Sequence, residues 1–204
     1  MIKIVSLLLS TVLTLLFSSI VNSSTLLIVG DSLSAGYQMP AEKSWPRLLP
    51  EQLQSQGKQI DVINASISGD TSGNGLARLP KLLTQHQPDY VLIELGANDG
   101  LRGFSPTIIS TNLNSIIDHI KENKAQPLLM QIRIPTNYGK RYSQIFSNIY
   151  PELSEQQGIP LLPFYLEHVI SKPEWMMSDG LHPNVKAQPW IAGFIAKELS
   201  KVIE

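Results

Sequence analysis

Short polar blocks interrupt a chain otherwise rich in apolar runs, and the first is Gly30-Asp31-Ser32-Leu33-Ser34-Ala35-Gly36, directly after Thr25 to Val29. A serine at a strand-to-helix turn lies at a helix N-terminus, where backbone N–H groups and the helix dipole favour developing negative charge. That placement suits Ser32 as a nucleophile. The block is not the G-x-S-x-G elbow, because Ser34 stands where the second glycine would fall. Taken alone, Gly-Asp-Ser is also an ordinary turn.

Further blocks supply what a nucleophilic serine needs. In Asn64-Ala65-Ser66-Ile67-Ser68-Gly69-Asp70-Thr71, Gly69 can present its N–H to a ligand with no side chain in the way. In Gly96-Ala97-Asn98-Asp99-Gly100, Asn98 can donate its side-chain amide to an oxyanion, although such a stretch is equally a turn. Near the C-terminus, Ser178-Asp179-Gly180-Leu181-His182-Pro183 places a carboxylate three residues before a histidine. Asp179 can hold one ring nitrogen while the other acts as base. His86, His119 and His168 fall in helical stretches and read as surface or boundary residues. No metal-ligand spacing such as H-E-x-x-H occurs, so neither metal nor cofactor is expected. With no cysteine, thiol nucleophiles and cysteine zinc sites are excluded. Together the blocks offer nucleophile, oxyanion donors, orienter and base in workable chain order.

These residues must be brought together by the elements between them. Thr25–Val29, Gln59–Asn64, Asp89–Leu95, Pro127–Ile134 and Ile159–Pro163 read as strands. Amphipathic stretches separate them: Ser44–Gln56, with Ser44 as N-cap and Gly57 as stop; Asn74–His86, bent near Pro80; Thr107–Lys124; and Arg141–Gln157. A last helix runs from about Ala187 to Val202. Alternating strands and helices predict an α/β fold with a parallel sheet covered on both faces. In such sheets ligands bind beyond the carboxyl ends of the strands, where the polar blocks lie.

Composition bounds the rest. The 204 residues suit one domain, and with 43% hydrophobic and 16% charged residues the chain is globular. A net charge of −1 without a basic stripe gives no nucleic-acid footprint. Met1-Ile2-Lys3, the apolar run Ile4–Phe17 and small polar residues to Ser24 have the layout of a signal peptide cut after Ser23. The run is short for a membrane span, and no cysteine follows it for lipid attachment. The expected organisation is a signal peptide at 1–23 and one catalytic domain at 24–204. Export to the periplasm or beyond follows, without a lasting membrane anchor and with a monomer as the default state.

The blocks GDSLSAG, SISGDTS, GANDG and DGLHP resemble those of the SGNH, or GDSL, hydrolases, a likeness covering nearly the whole chain from Thr25. The intervening LARLPKLL, QHQPDYVLIELGANDGLRG, LLMQIRIPTNYGKRY and DGLHPN are similar to the multifunctional thioesterase, protease and lysophospholipase branch of the bacterial periplasm. One departure is Ala97, where that branch often has glycine. The resemblance implies a flavodoxin-like three-layer α/β/α sandwich with a five-stranded parallel sheet. It implies Ser32 as nucleophile, His182 as base then acid, and Asp179 as its orienter. The N–H groups of Ser32 and Gly69 and the Asn98 amide then form the oxyanion hole. The implied activity is hydrolysis of small-molecule acyl esters and thioesters: acyl-CoA thioesters, lysophospholipids and aryl esters.

Two other readings stand beside it. A carbohydrate acetyl esterase of the same family would need a small polar pocket; a non-catalytic protein could cradle an anion or lipid on the Gly30–Gly36 loop. The apolar residues of Leu101–Pro106 and Ile134–Tyr138 are expected beside the catalytic rim, suited to an acyl chain. Gly100 and Gly103 could flank a mobile flap there, a role the resemblance also implies. Alternatively, Leu101 and Phe104 pin that loop to the core.

Overall fold

The computed structural model of the protein describes residues 23–204, so the expected signal peptide lies outside the described residues apart from Ser23. The strands are β1 Ser24–Gly30, β2 Ile60–Asn64, β3 Tyr90–Glu94, β4 Gln126–Met130 and β5 Leu161–Leu162. They form one five-stranded parallel sheet in the order β2-β1-β3-β4-β5. The helices are α1 Ser32–Ala35, α2 Trp45–Gln54, α3 Ser72–His86, α4 Ala97–Leu101, α5 Pro106–Glu122, α6 Lys140–Gln157, α7 Leu166–Ile170 and α8 Gln188–Leu199. Helices α2 and α8 pack together over one face of the sheet, and α3, α5 and α6 over the other. The protein is thus the expected three-layer α/β sandwich.

Burial explains the strand sequences. Leu26–Val29, Val91–Ile93 and Leu128–Met130 are fully inaccessible because both faces of the central strands are covered. In α5, Ile109, Leu113, Ile116, Ile117 and Ile120 are buried at helical spacing, whereas Ile108, one position off that stripe, faces outward. Each fully buried Leu or Ile stabilises the fold by roughly 1.5–3 kcal/mol.

The strand order reverses at β1, whose neighbours are β2 and β3. Its carboxyl end delivers Ser32, and the end of β3 delivers Asn98 across the resulting crevice.

Several elements differ from their sequence expectation. β4 ends at Met130 instead of reaching Ile134. Its partner β5 has only two residues, and the Gln131 side chain donates to the carbonyls of Ile132 (2.9 Å) and Ser147 (3.0 Å) in place of further ladder pairing. Residues 131–135 are thereby free to line a cavity. Helix α3 runs unbroken through Pro80 and starts earlier than expected, at Ser72, capped by Thr71 Oγ1 accepting from the Asn74 N–H at 3.2 Å. Ser44 occupies the N-cap position of α2, yet its hydroxyl donates to the Ala41 carbonyl. The Asn98 block, for which a turn was the alternative reading, forms the short helix α4.

Candidate active site

Ser32 opens α1, a helix of only four residues that needs outside support. Asp31 caps it, its Oδ1 accepting the Leu33 N–H at 3.0 Å. Ser34 Oγ donates to Glu94 at 2.5 Å, Asn64 Nδ2 donates to the Ser34 carbonyl at 2.8 Å, and the Trp45 indole donates to the Leu33 carbonyl at 3.0 Å. Ser32 therefore stands on a platform held by β3, β2 and α2.

The loop with Asp179 and His182 is closed on itself. Met176 bridges to Pro183, and the Met177 N–H donates to the His182 carbonyl at 2.8 Å. Asp179 Oδ1 accepts the N–H groups of Leu181 (2.9 Å) and His182 (3.0 Å), leaving Oδ2 for the ring, 2.7 Å from Nδ1. His182 Nε2 lies 2.9 Å from Ser32 Oγ. Partners 150 positions apart in sequence thus stand within hydrogen-bond distance. Burial pushes the Asp179 carboxyl up, but the two backbone N–H groups and the imidazole outweigh it and bring it down to about 2. Tyr37 stacks on the imidazole with ring centroids 4.3 Å apart, covering one face of the base.

Ser32, Gly69 and Asn98, which carry the three expected oxyanion donors, line the same cavity. The Asp70 N–H donates to the Ile67 carbonyl at 3.1 Å, closing a turn in which Gly69 adopts φ +85°. A Cβ on Gly69 would meet nothing within 4 Å. The positive φ is thus what asks for glycine within the protein itself. Arg78 ties this loop to the nucleophile strand, pairing with Asp70 at 2.7 Å and donating to the carbonyls of Ala65 and Gly30. Arg102 holds the Gly69 carbonyl at 3.2 Å. Asn98 Nδ2 lies 2.9 Å from the Asp70 carbonyl and 3.1 Å from Asp31 Oδ2, so the amide is pinned between the Gly69 loop and the residue before the nucleophile. Asp99 fixes α4 from behind, accepting from both the N–H (2.8 Å) and the hydroxyl (2.5 Å) of Ser72.

Beneath the site lies an acidic pair not anticipated from sequence. Asp31 is 1% exposed, and burial pushes its carboxyl up to about 6 against the lowering effects of the Leu33 N–H, His182 and Asn98. Glu94 is fully buried, and burial together with the Asp31 charge holds it well above the ordinary carboxylate range.

Ser32, Gly69, Asn98 and His182 all line one cavity of about 700 Å³. Leu101, Ile132, Ile134, Pro135, Phe164 and Leu166 make its apolar walls. Leu101, Ile134 and Pro135 were expected there; Phe104 and Tyr138 are not among the lining residues and are exposed. Gly100, expected to flank a flap, is packed into the fold. It is buried inside α4, and a Cβ there would approach Ile134 at 2.7 Å and Phe146 at 2.8 Å. Phe164, Leu166 and Tyr37 carry no local signal in the sequence, since their roles arise from distant elements meeting.

Comparison with known proteins fits this geometry. The family model for GDSL-like lipases/acylhydrolases matches residues 28–188. The chain is 66% identical over 179 residues to an arylesterase of Vibrio mimicus, covering 88% of this chain and 90% of that protein. It is 56% identical over 181 residues to thioesterase 1/protease 1/lysophospholipase L1 of Escherichia coli K12, covering 89% and 86%. Among solved structures it resembles the psychrotrophic esterase EstA from Pseudoalteromonas, crystallised as inhibited by monoethylphosphonate. The TM-score is 0.84 at 44% identity, over 87% of this chain and 97% of that one.

Proposed function

The chain belongs to the GDSL-like lipase/acylhydrolase family and is an ester- and thioester-hydrolysing enzyme, and from that premise we propose that Ser32, His182 and Asp179 carry the reaction. The observation behind this is one imidazole bridging Asp179 at 2.7 Å and Ser32 at 2.9 Å at an apolar cavity.

His182 Nε2 takes the Ser32 proton as Oγ bonds to the acyl carbon, and the carbonyl electron pair moves onto oxygen. The N–H groups of Ser32 and Gly69 and the Asn98 amide receive that oxyanion, Asn98 sharing the N–H now directed at Asp31. Collapse breaks the bond to the leaving alcohol or thiol, which departs with the His182 proton. Water, deprotonated by the same ring, then attacks the acyl-enzyme and restores Ser32. Asp179 keeps the ring in the tautomer with its acceptor nitrogen toward Ser32.

The substrates are small acyl esters and thioesters with an apolar acyl chain: aryl esters, acyl-CoA thioesters and lysophospholipids. Aliphatic and aromatic walls of this extent favour such chains over the acetyl group of a carbohydrate ester, which asks for a small polar pocket. The enzyme acts after export, with residues 1–23 removed as a signal peptide.

An organophosphonate should label Ser32 alone, and Asn98→Ala should lower kcat by about 10²–10³ with little change in KM. Adduct formation elsewhere, or an unchanged turnover in the Asn98 variant, would remove these roles.

A further inference from the structure

The protein sorts its exposed apolar residues to one end. Ile67 follows β2, Phe104 and Ile108 follow β3, Tyr138 and Ile145 follow β4, and the remaining large exposed apolar side chains follow β5, each 37–56% exposed. Among the described residues, all of them thus fall in the loops and opening helical turns that leave the carboxyl ends of the strands, the rim that carries Ser32. The opposite rim presents polar residues to solvent, among them Gln56, Gln87 and Asn123 just before β2, β3 and β4. Burial requirements of the core do not produce such a one-sided distribution, and exposed apolar side chains gathered at one end mark contact with a partner or lipid.

Two further features identify the partner. Ile170 (52% exposed) and Leu181 (43% exposed) also line the cavity, so exposed apolar surface reaches into the acyl site. The same rim is cationic. Arg102, Lys140, Arg141 and Lys186 are exposed there, and Lys172 sits over the Trp175 ring at 3.7 Å. Arg133 and Glu167 neutralise each other at 2.8 Å, Asp179 is committed to His182, Asp31, Asp70, Glu94 and Asp99 are buried, and the exposed acids left are Glu42, beside Lys43, and Glu174. Because the whole chain carries −1, this concentration of cations is local.

We propose that the carboxyl rim is a docking surface for an anionic lipid bilayer, seating the mouth of the catalytic cavity on the membrane so that acyl chains pass into it without crossing water. Apolar side chains enter the acyl boundary while lysine and arginine meet the headgroups. The surface extends the proposed function without depending on the assignment of the triad.

The test is co-sedimentation of the Ser32→Ala protein, which leaves lipid intact, with phosphatidylcholine vesicles prepared with or without phosphatidylglycerol. Binding is expected with phosphatidylglycerol and should weaken without it or in high salt. Adding Ile108→Ser with Ile145→Ser, or Lys140→Gln with Arg141→Gln, should weaken it on the order of 10-fold. In the protein with Ser32 intact, both pairs should leave hydrolysis of a short soluble aryl ester unchanged. Absent binding to anionic vesicles, or equal binding by all variants, overturns the proposal. Concentration-dependent self-association abolished by the isoleucine pair would overturn it in favour of a second copy of the chain. The soluble-ester assay reads the triad separately, so failure of docking and failure of the catalytic assignment are distinguishable.

Discussion

Asp31 is the neighbour of Ser32 in sequence, and in the folded protein its carboxylate joins the Ser32 helix to Asn98. One oxygen caps the helix that bears Ser32, and the other receives the Asn98 amide. Both contacts hold the charged form, yet burial prevails and the carboxyl rises to about 6 from 3.8. A folded-state value raised above the unfolded one means that the native protein binds this proton more tightly. The associated stability is complete below about pH 4 and is lost as pH rises through about 6. Glu94 shifts in the same sense. In Asp31→Asn the residue no longer titrates, so its melting temperature relative to the native protein should climb between pH 4 and pH 7, by the equivalent of on the order of 3 kcal/mol. Thermal melts across that range check this; a difference independent of pH would refute it. Asp179, lowered to about 2, stays ionised across the same window, so loss of turnover there does not come from its protonation.

Helix α4 shows how an element sets the shape of the site. It is five residues long, carries Asn98 on its first turn and ends at Leu101 in the cavity wall. Its seat is fixed by Asp99 on Ser72 and by the close approach of Gly100 to Ile134 and Phe146. An added methyl must push Ile134, which lines the cavity, or Phe146, which is fully buried. Gly100→Ala should therefore destabilise the fold by about 1–3 kcal/mol. Its kcat/KM for long-chain aryl esters should also fall more than for acetyl esters. A chain-length series with a melting curve measures both, and an equal effect on all chain lengths would separate Gly100 from the acyl wall.

At the scale of the whole molecule, the sheet divides labour between its two ends. The amino rim is a polar surface, while the carboxyl rim gathers catalysis, acyl cavity and exposed apolar and cationic side chains. The strand order β2-β1-β3-β4-β5 makes this possible, because every loop leaving a carboxyl end opens on the same side. Residues 1–23 belong to this scale too: they precede β1, which starts at Ser24. Expression of the whole chain should yield an exported protein whose N-terminus lies within a few residues of Ser24, read by N-terminal sequencing. Recovery of exported protein that still begins at Met1 would contradict removal of the segment.

Elements and chemistry were legible to different degrees for physical reasons. Continuous apolar runs such as Thr25–Val29 and Asp89–Leu95 encode buried parallel strands locally, and the periodicity of Ile109–Ile120 encodes α5, so the layered fold follows from sequence alone. Ser32, Gly69, Asn98, Asp179 and His182 each sit in a short polar block that interrupts an apolar pattern, which is why sequence alone singles them out as candidates. Where β4 stops, why Gly100 is glycine, and that Phe164, Leu166 and Tyr37 join the cavity were not readable. Those outcomes depend on contacts between segments distant in sequence: the Gln131 side chain standing in for a strand, Ile134 crowding Gly100, Tyr37 lying on the His182 ring. Local pattern records what a segment must bury, and only the folded arrangement decides what it is buried against.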